Sequence, residues 1–400
     1  MASHGIKDQV AIVGMGCTRF GERWDRSADD LLVDATEECF ASTPSITKDD
    51  VDAYWLGTLS SGQSGLVLSQ PLGIDYKPVT RVENFCATGS EAFRNACYAV
   101  ACGAYDVVMA VGVEKLKDSG YSGLVTAGRG AGDGTDPGAT QTAPAAFSLL
   151  DPAYCSKYGV DRGDMREAMT HVAWKNHANG ALNPRAQFRS EVPKEKISAA
   201  AGKVAGRLGV FDCSGVADGS AAALIVRAED AYTYTDRPMF VKALSMVAGP
   251  ASGPIDPSYD YTTFHEVTHC AQDAYRQAGV ERPREQISLA EVHDCFTPTE
   301  LVLMEDLGFS QRGQAWRDEL DGKFNLDGQL PVNPDGGLKS FGHPIGASGL
   351  RMLFECWLQF RGEAGDRQLE DPQLAMTHNL GGRPGGCVSF IAIVGAEQDS

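Results

Sequence analysis

Cys86 stands in Glu83-Asn84-Phe85-Cys86-Ala87-Thr88-Gly89-Ser90-Glu91-Ala92, where small residues run directly into a helix-like apolar spacing. A thiol in the first turn of a helix meets unpaired backbone N–H groups and the positive end of the helix dipole, and both favour thiolate. Ala87, Thr88 and Gly89 leave room for a carbonyl and let N–H groups face it, which is what an oxyanion hole needs. A small buried cysteine is the other reading of the same residues. His343, in Gly342-His343-Pro344-Ile345-Gly346-Ala347-Ser348-Gly349, could take a proton from a thiol or donate one to an enolate oxygen, or could serve as a structural hydrogen-bonder. His293, Asp294 and Cys295 precede Thr297, Pro298 and Glu300, which read as a capping box with proline at the first helical position; Gly308 would end that helix. A second histidine and a second thiol are thereby expected at a helix entrance, a setting suited to an acid/base cysteine. The glycine-rich stretch 377–386 precedes a strand-like run. A phosphate cradle needs a following helix, so close approach of backbone to a substrate is the better reading.

These residues need elements to hold them. Val10 to Val13 reads as a buried strand, followed by Leu31, Leu32, Ala35 and Cys39 at helical spacing. The turn between them has Arg19 where a dinucleotide-binding turn needs its third glycine, so a nicotinamide site is not expected. After Cys86, the residues Ala92, Phe93, Ala96, Cys97, Val100 and Ala101 mark an inward helix face that Gly103 ends. The run 106–114 then reads as a strand covered on both faces. The C-terminal half repeats the plan: the turn at 342–349, a stripe of Leu350, Leu353, Phe354, Trp357 and Leu358, and a strand-like run from Cys387 to Val394. A duplicated α/β unit follows from that repetition. Residues 118–214 differ in character. They open on a Gly/Thr/Pro-rich stretch at 126–144 and continue with helical spacing from Met165 to His177, so they read as an insertion.

Composition limits the partners. The chain has 400 residues, 43% hydrophobic and 22% charged, enough for two or three domains with substantial cores. A net charge of −18 argues against nucleic acid and anionic membranes. Residues 118–214 hold eleven Lys/Arg against ten Asp/Glu, which makes them the best place to meet a phosphate-bearing ligand. Eleven cysteines without a C-x-x-C pair fit a reducing compartment better than a disulfide framework or structural zinc, and no metal site is expected. No basic stretch leads into an apolar run at the N-terminus, and a cytoplasmic protein is expected.

Taken together, the segments around Cys86, His293 to Phe296, His343 and 378–382, with Val216 to Val226, resemble the thiolase family in order and spacing over nearly the whole chain. Two departures refine the resemblance. Asn379 stands where better-known thiolases carry an acid/base cysteine, and His293-Asp294-Cys295-Phe296 replaces their Asn-Glu-Ala-Phe. Both are similar to the sterol-carrier-protein type, in which the HDCF cysteine supplies the missing thiol; Cys387 is then expected in the core. The resemblance implies an α/β thiolase fold. Two duplicated mixed five-stranded sheet halves would lie in an α-β-α-β-α arrangement, with 1–117 and 215–236 as the first half, 118–214 as a loop domain and 237–400 as the second half. It implies a catalytic set of Cys86, His293, Cys295 and His343, oxyanion sites at Cys86, Gly381, His343 and His293, and coenzyme A contacts at Ser214 and Gly215. The implied activity is coenzyme A-dependent thiolysis of a 3-oxoacyl-CoA through an acyl-cysteine, on a branched, aromatic or steroid-derived chain. The alternatives are a condensing subunit or acyltransferase working with a small zinc-ribbon/OB-fold partner, and a non-catalytic lipid carrier. Coenzyme A enters as cosubstrate, no cofactor is covalently held, and a homodimer or tetramer is implied.

Overall fold

A computed structural model describes residues 4–119, 125–126, 141–253 and 256–399. Most of the Gly/Thr/Pro-rich stretch, 127–140, lies outside them. Nine strands form one mixed sheet: β1 Val10–Cys17, β2 Ala53–Gly57, β3 Val79–Val82, β4 Val107–Glu114, β5 Gly219–Arg227, β6 Met239–Ala248, β7 Leu289–Glu291, β8 Leu374–Arg383 and β9 Gly386–Gly395. Their order is β3-β2-β4-β5-β1-β6-β9-β8-β7. β2 runs parallel to β3 and β4, β7 parallel to β8, and the remaining neighbours are antiparallel.

The duplication is visible in this order. Read outward from the β1/β6 junction, β1-β5-β4-β2-β3 matches β6-β9-β8-β7, and a single parallel bridge from Ala290 to Val332 takes the place of the fifth strand. Helices fall at matching points: α1 Ala28–Ala41 and α2 Thr88–Ala101 in the first half, α4 His265–Ala278 and α6 Ser348–Arg361 in the second. The halves differ in the link between their antiparallel hairpin strands. β8 and β9 are joined by Pro384 and Gly385, with Gly385 at φ +81, whereas β4 and β5 are separated by the inserted residues, which include α3 Arg162–Ala181.

Strand alternation sorts the side chains into layers. Ile12, Ala110 and Ala223 of the first half and Phe390, Ala392 and Val394 of the second pack on one cluster with Phe93, Leu353 and Trp357, so α2 and α6 form a central layer. Ala11, Met109 and Leu224 face α1 on one outer side, and Ile391 and Ile393 face α4 and α5 Thr297–Asp306 on the other. Each fully buried Leu or Phe on these faces contributes roughly 2 kcal/mol relative to exposure. The central helices meet at glycine: a Cβ at Gly89 would lie 2.5 Å from the Gly346 carbonyl oxygen. Both helix entrances, which carry Cys86 and His343, are thereby brought together. Among the described residues no helix is long and apolar enough to cross a membrane.

Candidate active site

Cys86 lies just before α2, whose N-cap is Ala87 and whose first residue is Thr88. It is therefore outside the first turn, contrary to the sequence expectation. The turn is held by Thr88, whose hydroxyl accepts from the Asn84 N–H (2.9 Å) and donates to the Phe85 carbonyl (2.6 Å). Phe85 takes a left-handed φ of +48, uncommon for a residue with a Cβ, and the chain turns sharply into Cys86. The thiol is buried, and burial pushes its pKa up to about 12; Glu83 adds to the rise, while the backbone N–H groups of Cys86 and Gly382 oppose it. The expected preformed thiolate is thus replaced by a neutral thiol with amides already aimed at sulfur. Gly381 packs against the same turn, where a Cβ would lie 2.5 Å from the Asn84 carbonyl oxygen. The glycine-rich segment belongs to β8 and its hairpin to β9, and its glycines let that strand pass so close to Cys86.

His343 follows the short helix Gly337–Ser340. Its Nδ1 lies 2.7 Å from Ser348 Oγ, which donates to the Pro344 carbonyl at 3.0 Å. A carbonyl can only accept, so the serine proton goes there and Nδ1–H donates to Oγ. Nε2 is left as the basic nitrogen, buried and with no hydrogen-bond partner among the described residues. Burial, and secondarily Arg351, lowers His343 to about 3. The His293 ring stands edge-on to it at 5.3 Å between centroids. His293 is held neutral by burial and by the neighbouring His343, His378 and Arg351. Donor atoms of Cys86, His293 and His343 all lie within 4.8 Å of one another. Cys295 is buried beside them: its pKa is raised by burial first and by the nearby Cys86 second, and its Sγ is 3.9 Å from Thr299 Oγ1.

Asp294 fixes this loop. Its carboxylate accepts from the Leu338 N–H (2.6 Å), the Lys339 N–H (3.2 Å) and the Asn176 amide (2.8 Å), so it ties the His293–Cys295 segment to the turn that carries His343 and to α3. The expected capping box is absent. Phe296 is the N-cap of α5, Thr297 Oγ1 donates to Asp212 at 2.8 Å, and Glu300 accepts from Lys175 (2.5 Å), Asn176 (2.8 Å) and Asn333 (3.1 Å). Tertiary partners take the groups that a local cap would use. Ser214 is half-buried next to the loop and its N–H donates to the Cys295 carbonyl at 2.8 Å; Gly215 packs on Gln187 and Phe188. Cys387 is buried at the start of β9, within electrostatic reach of Cys295 and Cys86. Asn379 accepts from Ser90 Oγ at 2.6 Å.

A thiol, a basic imidazole nitrogen and converging amides make a site for acyl transfer through sulfur. Residues 10–229 match the thiolase N-terminal domain, and residues 254–392 match the thiolase C-terminal domain-like family. The chain belongs to the thiolase family. This thiolase is 36% identical over 390 residues to the acetyl-CoA acetyltransferase of Methanothermobacter thermautotrophicus, covering 96% of this chain and 98% of the relative. Against human sterol carrier protein 2 it is 31% identical over 398 residues, covering 93% of this chain and 70% of the relative. Two solved structures share the fold. One is the Ltp2-ChsH2(DUF35) aldolase, at TM-score 0.84 and 24% identity over 99% of this chain and 100% of that one. The other is the monomeric SCP2-thiolase-like protein type 1 of Mycobacterium smegmatis, at TM-score 0.73 and 17% identity over 100% of this chain and 79% of that one. The thiolase is an acyltransferase that uses coenzyme A as cosubstrate and acts on acyl-CoA.

The sequence reading did not single out Ser348, the Gly382 amide or Asn176. Ser348 had a legible signal, since it sits five residues after His343 at the entrance of a helix that the apolar stripe marks. Ser348→Ala should free the His343 ring and lower kcat about 10- to 100-fold with little change in KM, as loss of an orienting partner does; steady-state thiolysis kinetics check this.

Proposed function

We propose that Cys86 is the nucleophile of a 3-oxoacyl-CoA thiolase, with His343 as its base and Cys295 as the second acid/base. Cys86 Sγ attacks the 3-keto carbon as its proton passes to His343 Nε2, and the new oxyanion is met by the Cys86 N–H and the amides of Gly381 and Gly382. The C2–C3 bond breaks, and Cys295 protonates the acetyl-CoA enolate at carbon while His343 and a water on His293 stabilise its oxygen. Cys295, now thiolate, takes the proton of incoming coenzyme A, whose sulfur attacks the acyl-Cys86 thioester. The shortened acyl-CoA leaves, and Cys86 regains its proton. The reverse sequence is a Claisen condensation.

What carries this reading is the convergence of the Cys86, His343 and His293 donor atoms within 4.8 Å, with Cys86 close enough to raise the Cys295 thiol. Ser214 and Gly215, at the mouth of the inserted region, are suited to the pantetheine arm. The proposed substrates are 3-oxoacyl-CoAs with branched, aromatic or steroid-derived chains, turned over by a homodimer or tetramer in the cytoplasm. Incubation with acetoacetyl-CoA should give an acetyl adduct on the Cys86 peptide by mass spectrometry; no adduct with any acyl-CoA would leave the lipid-carrier reading in its place. His293→Ala should keep measurable turnover at about one hundredth or less of the normal rate, because one preorganised oxyanion partner is worth about 3 kcal/mol; rates from stopped-flow thiolysis decide.

A second reading adds a small zinc-ribbon/OB-fold subunit to the same site. It is favoured by the fold neighbour whose name joins two components, and co-purification of a small zinc protein would support it.

A further inference from the structure

The donor set around Cys86 has a second chemical meaning. Zn2+ takes thiolate sulfur and neutral imidazole nitrogen at bond lengths that place tetrahedral donors about 3.4–3.8 Å apart, and it accepts three protein ligands with water as the fourth. Cys86, His293 and His343 offer one sulfur and two imidazoles within 4.8 Å of one another, so side-chain rotations of about an ångström would bring them to ligand spacing. Two buried nitrogens are unpartnered among the described residues, His343 Nε2 and His293 Nδ1. The His343 ring is already oriented through Nδ1 and Ser348 Oγ at 2.7 Å, the outer-sphere hydrogen bond that ligating histidines use. Both side chains are at least nine-tenths buried.

We infer that Cys86, His293 and His343 bind a borderline-soft divalent cation, Zn2+ above all, which competes with acyl groups for the same sulfur and holds the enzyme inactive. Binding forms a Cys86 S–Zn bond and two N–Zn bonds, displaces water from the ion and releases the thiol proton to solvent. Nothing is oxidised or reduced. The occupied state blocks attack on a carbonyl because both the nucleophile's electron pair and the base's are shared with the metal. Acylation of Cys86 excludes the metal in turn, so substrate protects the enzyme.

Cobalt(II) is the probe, because a Co–thiolate bond gives a near-ultraviolet charge-transfer band that oxygen and nitrogen ligands do not. Anaerobic titration of the full chain should show this band saturating at one equivalent, with Zn2+ displacing cobalt and abolishing it. Protein first acetylated with acetyl-CoA should lack the band, as should Cys86→Ala, and His293→Asn should weaken the affinity at least about tenfold. Inhibition of thiolysis by Zn2+ should be reversed by a chelator. The acetylated wild type covers the case in which Cys86→Ala misfolds. A band that persists at full amplitude after acetylation or in Cys86→Ala would assign it to other thiols and overturn the proposal. So would the absence of a band in protein whose Cys86 still takes an acetyl group; that result would leave the thiolase reading standing, whereas a cobalt site at Cys86 without any acyl adduct would remove the thiolase reading and with it the competition, leaving only the metal site.

Discussion

Cys86→Ala should lower kcat for thiolysis of acetoacetyl-CoA by on the order of 10^5-fold, to the level left by binding and the oxyanion amides alone. Among the described residues no other thiol is placed to substitute. Cys295 and Cys387 are buried nearby, but the N–H groups of Cys86 and Gly382 point at the Cys86 sulfur. The same geometry sets the pH profile. Burial raises the Cys86 thiol to about 12 and lowers the His343 imidazole to about 3, so the resting pair is neutral. In the proposed roles of Cys86 and His343, proton transfer from sulfur to Nε2 would accompany attack on the carbonyl, as general-base catalysis requires. The active form, thiol with neutral imidazole, dominates between those two values and is lost on the acid side as His343 takes a proton. From these two groups kcat/KM should therefore be flat between about pH 6 and 9, and the ultraviolet thiolate absorption difference between wild type and Cys86→Ala should show no step there. A rise in kcat/KM centred near an ordinary histidine pKa would sink the neutral-pair account.

Much of the frame was legible because it rests on periodicity. The stripes of α1, α2 and α6 and the continuous apolar runs of β1, β4 and β9 are buried as their spacing requires, with Ala101, Leu358 and Val388 half-buried at their edges. What sequence could not show is competition between local and distant partners. Thr297 and Glu300 have the spacing of a cap, but a buried Asp212 and the Lys175 ammonium from the inserted region take their polar atoms. The glycine-rich stretch 377–386 reads only as leading into a strand because its glycines hide the strand that already runs through 377–383, and their absent side chains are what the passing Asn84 carbonyl needs. α3 lacks a clean apolar stripe because it buries Lys175 and Asn176 against Glu300, Glu319 and Asp294. Polar residues at helical spacing look solvent-facing until the opposing charges are known. Cys86 was found as a nucleophile candidate for a partly mistaken reason: the amides around it are real, but the helix begins two residues later and burial outweighs them.

Arg351→Met should destabilise the fold by about 3–5 kcal/mol, the usual cost of removing one member of a buried ionic group. Arg351 is fully buried on the first turn of α6 and serves two carboxylates: its Nη1 donates to Glu291 at 2.7 Å and also pairs with Asp335. Glu355, on the next turn, lies close enough to raise the Glu291 carboxyl further and is itself paired with Arg367 at 2.8 Å. Methionine fills similar volume but supplies no charge, so the carboxylates lose their cation in a region that water does not reach. Glu291, already raised by burial with Arg351 opposing, then rises further above its unfolded-state value. A carboxyl raised in this way stabilises the fold at low pH and loses that contribution as pH increases. The deficit should accordingly be largest at about pH 8 and shrink toward pH 5, read from urea unfolding of wild type and variant at both values. Arg351 also lowers the pKa of His343 and of His293. Its loss should move the acid limb of kcat/KM to higher pH, an effect that a purely structural arginine would not produce. A pH-independent stability deficit with an unmoved acid limb would show that Arg351 contributes packing and leaves the electrostatics of the site unchanged.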